Sequence, residues 1–574
     1  MNSTKPTNPF VSSEVETRDR GAAFAARSST SLGTNGFSWR GLAHGLFIPL
    51  TLLLAACGHS GGGGRTPCPA GKLCLEAGNG AEVESLDPPK TQLTTEATVL
   101  YDLFAGLTTL DADGTAMPGM ATRWETSPDG LTWTFHLRDA HWSDGMPVTA
   151  QDFVFAFRRL VDPHTASPYA WLLAVLVNGE AVTAGKAAPE TLGAAAPDPR
   201  TLVLHLTHPA PYLPLLLDNT SAVPVPEHVV RRWGDAWTQP GHMVSNGPYQ
   251  LASWALNDRL VLVRNPRYYG NAQVCFDQIA YRPISDTIAA ERAVGTGELD
   301  LNIAFASNRV NYLRRRLPGY VHANPVFATA YIALSSHVRA FADPRVRVAL
   351  SIAIDRDFIA GKLLRAGQRP AYAFVPPGIA NYPGLPRAAW ADWPLSFRDA
   401  VARELLRRAG IDAAHPLRLE FKYSNAGERI IWPALQSDWR AIGVRLDLAP
   451  EEGQILYADL VARNFEAASA AWFVDFNDAI SFLRILSSGG GAQNYSDYHS
   501  ARFDALIAAS DEERDIGRRA RLLVEAERVA MADAAILPLY VYSGRNLVDP
   551  DISGWRDNPA DYHPKRFLCR RGVR

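Results

Sequence analysis

The stretch "AAWFVDFND", Ala470 to Asp478, sets a carboxylate, Asp475, between Val474 and Phe476 in a run of small, aromatic and β-branched residues. Such a run reads as a buried strand. A charge placed there is costly unless it has a partner. Two chemistries fit. Asp475 either caps a strand end or pairs with an internal Arg, or it is a fixed anion for a cation that arrives with a ligand, where a desolvated carboxylate gains most. Asn477 and Asp478 read as caps of the helix "AISFLRIL" that follows. Other reactive patterns are weak. The chain has no HExxH, Walker A or G-x-G-x-x-G, and His205 and His208 of "HLTH" point to opposite faces of a predicted strand, a poor metal geometry. "GHSGG", from Gly58, fits G-x-S-x-G without the strand and helix that an esterase elbow needs. No catalysis, metal or cofactor is expected.

The elements around Asp475 must come from more than one domain, because 574 residues exceed what one core can hold. Lys+Arg (57) nearly balances Asp+Glu (59), so no global field selects nucleic acid or an anionic membrane, and any partner is recognised locally. Strand-like runs such as "TWTFHLR" and "LVLVRN" mix with helical ones such as "ARLLVEAERVAMADA", which argues for an α/β protein.

The N-terminus points to export. Residues 1–39 are rich in Ser, Thr, Asn and Gly and have no apolar period; after Arg40, "GLAHGLFIPLTLLLAAC" is too short and too abruptly ended to span a membrane. It ends in Leu54-Ala55-Ala56-Cys57, which resembles the bacterial lipobox, in which the Cys is acylated and becomes the new N-terminus. Ordinary cleavage leaving a free Cys is the alternative. Residues 1–57 are thus read as leader with lipoprotein signal peptide, and 58–74 as a flexible tether. With Cys57 acylated, Cys68, Cys74, Cys275 and Cys569 remain for two disulfides or four thiols; Cys68 with Cys74 is the natural first pair, although connectivity does not follow from sequence.

Along the body, "SLDPPK" is a turn and "TEATVLYDLFAGL" has helical spacing at Val99, Leu103 and Leu107. Pro128-Asp129-Gly130 and Ser143-Asp144-Gly145 are turns either side of a strand, and Thr149 caps a helix Gln151–Leu160. Trp124, Trp133 and Trp142 read as core. This block resembles the solute-binding proteins of peptide ABC transporters, closest to the oligopeptide binders. The resemblance rests on Ala121, Trp124, Ser127, Asp129-Gly130, Thr134-Phe135, Leu137-Arg138, Trp142, Asp144-Gly145, Pro147, Thr149-Ala150 and Asp152. It continues through Asp162-Pro163, "TASPYA", "WTQPG", "NGPYQL", "DPRVRVALSIAIDRDFI", "AIGVRLDL", "WFVDFND", "FDALIAAS" and "ILPLYVYS", from about residue 75 to the end.

The resemblance implies a two-lobed α/β fold of the periplasmic-binding-protein kind with an additional third domain. Lobe I is then discontinuous, 75–104, 229–328 and 544–574; the additional domain covers 105–228; lobe II covers 329–543, with hinges near 328 and 543. It also implies the site. Asp475 matches the Asp that grips the peptide amine. Ala470, Ala471 and Trp472 match the strand that pairs with the ligand backbone, Gln92, Leu93 and Thr94 the opposing segment, and Tyr169 and Tyr331 aromatic positions of the cleft. Arg429 stands for a His used with longer ligands.

The departures are Ser469 in place of an Arg for the ligand carboxylate, Gly453 in place of a pocket Trp, and Ala328 with Phe473 where some relatives have a disulfide. Expected partners are short peptides and the membrane permease subunits of an ABC importer, with no nucleic acid; the protein is expected to be a monomer, lipid-anchored through Cys57 in the periplasm. Gly58 is not an Asp, which favours the outer membrane if the cell has two. A receptor for murein peptides, or for a non-peptide cargo, is the alternative.

Overall fold

The backbone of the protein is one mixed sheet that runs through its whole width. A computed structural model describes residues 64–425 and 429–573; Cys57 and the leader lie outside the described residues. The described residues belong to a single compact unit.

The sheet starts at an edge of three strands, Arg445–Glu451, Arg418–Ser424 and Ala467–Phe473. It passes through the long strands Val321–Leu334 and Leu537–Val548, and then through Leu301–Asn302, Cys74–Gly78, Gln278–Arg282 and Arg259–Arg264 to Tyr249–Ala255. The strands in its middle are apolar on both faces: all five residues of Cys74–Gly78 and nine consecutive residues from Val326 to Leu334 are buried. That is the pattern of a sheet covered on both sides by helices.

The two long strands are antiparallel, and both pass from one half of the sheet to the other. Their register shifts between Pro325, opposite Ser543, and Thr329, opposite Val541. Proline supplies no ladder N–H, and the shift falls where it stands. The sequence placed its crossings near 328 and 543.

A separate four-stranded antiparallel sheet, ordered Ala121–Thr126, Thr132–Leu137, Thr201–His205, Ala194–Asp198, lies within the region read as the additional domain. Its turns form as their residues require. Asp129 and Asp144 accept from the N–H groups of Leu131 and Met146 at 3.0 Å, and Gly130 and Gly145 have φ of 78° and 98°. The helix Ala150–Val161 opens on Thr149, whose N–H donates to Asp152 at 2.8 Å. Trp133 and Trp142 are core, as expected, and Trp124 stacks toward Phe135 at 6.0 Å between ring centres. The helix after "SLDPPK" spans Thr94–Leu103, one turn short of the sequence reading, so Leu107 lies beyond it.

Two disulfides form, Cys68–Cys74 and Cys275–Cys569; the second ties the C-terminal segment to the Tyr249–Arg282 half of the sheet. Inside that half, buried Asp102 accepts from the Tyr281 hydroxyl at 2.5 Å and the Lys565 N–H at 2.9 Å. The stretch from Arg65 is held against the body, with Arg65 paired to Asp300 at 2.7 Å and the Thr66 N–H on Glu76 at 2.7 Å, so no free tether extends to residue 74. No helix among the described residues is long and apolar enough to cross a membrane.

Candidate functional site

Asp475 lies two residues beyond the end of the strand Ala467–Phe473, not within a strand as the sequence suggests. On one side that strand pairs with Val321–Leu334 in unbroken register, from Ala328 opposite Phe473 to Leu334 opposite Ala467. On the other side it meets Arg418–Ser424 only at Ala467 and Ala468. From Ser469 onward that edge faces a cavity of about 740 Å³, and Ser469, Ala470, Ala471, Trp472, Phe473 and Asp475 all line it. An unpaired strand edge beside a cavity of this size is a template for an extended ligand.

The Asp475 carboxyl is half-buried. The Tyr169 hydroxyl donates to it, the Ser481 hydroxyl lies 3.5 Å from Oδ2, and its own N–H and C=O are taken by Ser481 Oγ at 3.1 Å and the Asn219 amide at 3.2 Å. Burial pushes the carboxyl up to about 7 against the downward pull of the two hydroxyls. No Lys or Arg among the described residues figures in that balance. The role of partner to an internal Arg belongs to its neighbour. Asp478 is buried with Arg519 in a two-pronged pair at 2.8 and 2.9 Å, and also caps Ile480 N–H at 3.0 Å. Asn477, read as a helix cap, instead accepts from the Ala380 N–H at 2.9 Å. The carboxylate without a cation is therefore the one that faces the cavity.

Six of the ten cleft residues expected from sequence sit together on the cavity wall besides Asp475 itself: Ala470, Ala471, Trp472, Gln92, Leu93 and Tyr169. The Trp472 indole N–H is buried with no partner. Gln92 and Leu93 present side chains rather than backbone, because both N–H groups donate to buried Glu96 at 2.8 and 2.9 Å. Thr94 begins the helix and is not on the wall.

Tyr331 is a correction: it is 1% exposed and packs edge-on against Phe374 in the core. Its neighbour Ala330 lines the cavity, and alternate strand residues point to opposite faces. Arg429 is exposed on a short turn and off the wall, where Trp432, three residues on, takes part instead. Ser469 and Gly453 do line the cavity, and Ala328 and Phe473 are cross-strand partners.

Sequence reasoning missed Tyr457, Tyr495, Tyr540, Tyr542 and Arg545, all on the wall. A signal existed for one pair: Tyr540 and Tyr542 alternate in "ILPLYVYS" and so share a face. A second cavity of about 820 Å³ adjoins the first and shares Trp171, Trp472 and Gln493 with it.

A two-part α/β body with an open strand edge and an uncompensated anion in its cleft defines a solute-capturing protein. The model of the bacterial extracellular solute-binding proteins, family 5, matches residues 115–494, and the chain belongs to that family. It is 37% identical over 517 residues to the periplasmic oligopeptide-binding protein OppA of Salmonella typhimurium, covering 88% of this chain and 94% of that one. Among solved structures it resembles the Escherichia coli murein tripeptide binding protein MppA, with TM-score 0.78, 34% identity and coverage of 87% and 99%. It also resembles Haemophilus influenzae OppA in complex with RPPGFSPFR, with TM-score 0.77, 33% identity and the same coverage. The two-lobed fold read from sequence is the fold of these proteins.

Proposed function

We propose that the protein captures short peptides in its cleft and delivers them to the permease of an ABC importer. The observation that carries this reading is Asp475, a half-buried carboxylate without a cation, at the end of a strand edge that faces the cavity. A peptide offers one α-ammonium and a run of backbone donors and acceptors, and these two features answer both. The ammonium pairs with Asp475, the backbone adds to the Ser469–Phe473 edge, and side chains enter roomy pockets where water adapts to varied groups. The lobes, with the bounds read from sequence, close over the ligand because it contacts both, hinging where the long strands change register. Cys57 is the lipid attachment site of a monomer in the periplasm, with the outer membrane favoured where there are two.

Capture of murein peptides is the second reading. Ser469 on the wall offers no charge for a ligand carboxylate, and the likeness to the murein tripeptide binder agrees with it.

Titration calorimetry with a tripeptide library, its N-acetylated twin and a murein tripeptide tests both. Acetylation is expected to cost roughly 2–5 kcal/mol, as for breaking one side of a buried charge pair. Asp475→Asn should cost the same with free peptides and nothing further with acetylated ones. If free and acetylated peptides bind alike, Asp475 is not the amine anchor. If only the murein peptide binds, the second reading replaces the first.

A further inference from the structure

The charge is unevenly distributed where the chain enters the body. The helix Thr287–Gly295 carries Arg292 in its last turn, and the helix Val310–Arg316 ends in Arg314, Arg315 and Arg316. All four are exposed, and none makes a side-chain hydrogen bond or ion pair among the described residues. Most of the neighbouring carboxylates are already engaged, while exposed Asp551 lies near Tyr320, just beyond the second helix. Glu291 holds Arg309 at 2.6 Å, Glu298 faces Arg282 at 3.5 Å, Asp300 holds Arg65 and Arg570 at 2.7 and 2.5 Å, and Asp286 caps Ala289 at 2.8 Å. One basic residue suits a helix C-terminus. Three in succession fan around the axis at about 100° steps, more than one helix end requires.

The two helix ends meet. A β-carbon on Gly295 would touch Leu317 at 3.7 Å, and Val294, Leu313 and Leu317 share one buried cluster. The four arginines thus cluster at two adjoining helix ends on a protein whose formal net charge is only −2.

An independent observation says what this patch faces. Arg65 donates to the Gly297 carbonyl at 2.8 Å, immediately after the helix that bears Arg292. Gly64 is seven residues from Cys57 in sequence. A chain of that length spans at most about 25 Å. A lipid on Cys57 therefore keeps a membrane surface within about 25 Å of Gly64, on the side of the body where Arg65 meets the Gly297 carbonyl.

We propose that this face rests on an anionic lipid surface, where the arginines bind headgroup phosphates and, with the lipid at Cys57, hold the protein in one orientation. The proposal rests on the reading of Cys57 as the lipid site. Guanidinium matches a phosphodiester with paired N–H donors, and each basic residue near such a surface favours partitioning by about fivefold at low salt.

The test uses the unlipidated body, residues 64–574, which is one compact unit. It is sedimented with vesicles of phosphatidylcholine alone or with about a third phosphatidylglycerol. At low salt, association with the anionic vesicles should exceed that with neutral ones at least tenfold, and about 0.5 M NaCl should abolish it. The variant Arg292→Gln/Arg314→Gln/Arg315→Gln/Arg316→Gln should lose most of the association and keep its melting temperature and peptide affinity. Equal association with both vesicle types, salt-independent association, or an unaffected folded variant overturns the proposal, and a protein partner with an acidic surface becomes the better occupant. If the variant does not fold, the salt dependence of the unsubstituted body decides. The mass of the mature N-terminal peptide reports lipidation of Cys57 separately, so failure of the lipid site and failure of the lipid-facing patch are distinguishable.

Discussion

Peptide affinity should follow a bell-shaped pH profile with Asp475 on its acid limb. In the unliganded protein burial holds this carboxyl at about 7. Against an ordinary carboxylate value, that shift of about three units makes the charged form roughly 4 kcal/mol less favourable in the fold than in water. The sign follows from the direction of the shift. A carboxyl whose folded value is raised binds protons more tightly folded than unfolded, so its contribution is destabilising above pH ~4, grows to its full size near pH 7 and vanishes as pH falls to the unfolded value. A ligand ammonium reverses the preference, because it favours the carboxylate. Binding at about pH 6 should therefore release close to one proton, and affinity should fall about tenfold per unit from pH ~7 to ~5, a total near 100-fold. On the alkaline side the peptide amine itself, at about 7.7–8.0, loses its charge, and binding takes a proton up. Net proton exchange should pass through zero near pH 7.4, midway between the two groups. Titration calorimetry in two buffers of different ionisation enthalpy measures it directly. Asp475→Asn should erase the acid limb and stabilise the unliganded protein at pH ~8 by up to about 4 kcal/mol. Flat affinity between pH ~5 and ~7 with no proton release would refute the assignment.

Three further outcomes are expected. Trp472→Phe removes a buried indole N–H that has no partner in the empty site; if a ligand carbonyl accepts from it, affinity should fall about three- to tenfold by calorimetry, with unliganded stability unchanged or raised. Arg519→Met strands buried Asp478 and should cost about 3–5 kcal/mol in denaturant unfolding, while Arg519→Met with Asp478→Leu should recover most of it. Replacing Cys275 and Cys569 by Ser, which opens a link across 294 residues, should destabilise more than replacing Cys68 and Cys74, six apart: about 6 against 2 kcal/mol on the loop-closure model, read as the fall in melting temperature.

What was legible in the sequence follows a physical division. Turns set by Asp-Gly pairs and the strand that leads to Asp475 were readable because their cause is local, although the strand stops at Phe473 and is only half-buried beyond Ala468. The helix bound at Leu107 and the cap assigned to Asn477 were not, because tertiary partners decide them: the Asn477 side chain finds the Ala380 N–H, nearly a hundred residues away. Tyr331 shows the same limit at one residue's resolution. The right stretch of chain reaches the cavity, but which of Ala330 and Tyr331 faces it is a matter of register, and a one-residue change of register exchanges the faces. Tyr457, Tyr495 and Arg545 come to the wall from three separate elements, and no spacing within the sequence joins them.

The raised Asp475 carboxyl also bears on which ligand the cleft accepts. Its environment is assembled from both sides: the strand that leads to it belongs to one half of the sheet, while Tyr169 and Asn219, which contact it, come from the region of the four-stranded sheet. Those groups together help to bury the carboxyl. The empty site in this arrangement therefore carries a cost of roughly 4 kcal/mol at neutral pH. A ligand ammonium at Asp475 removes that cost, because it favours the carboxylate. On the proposed reading, selection for a free amine thus follows from the placement of one residue.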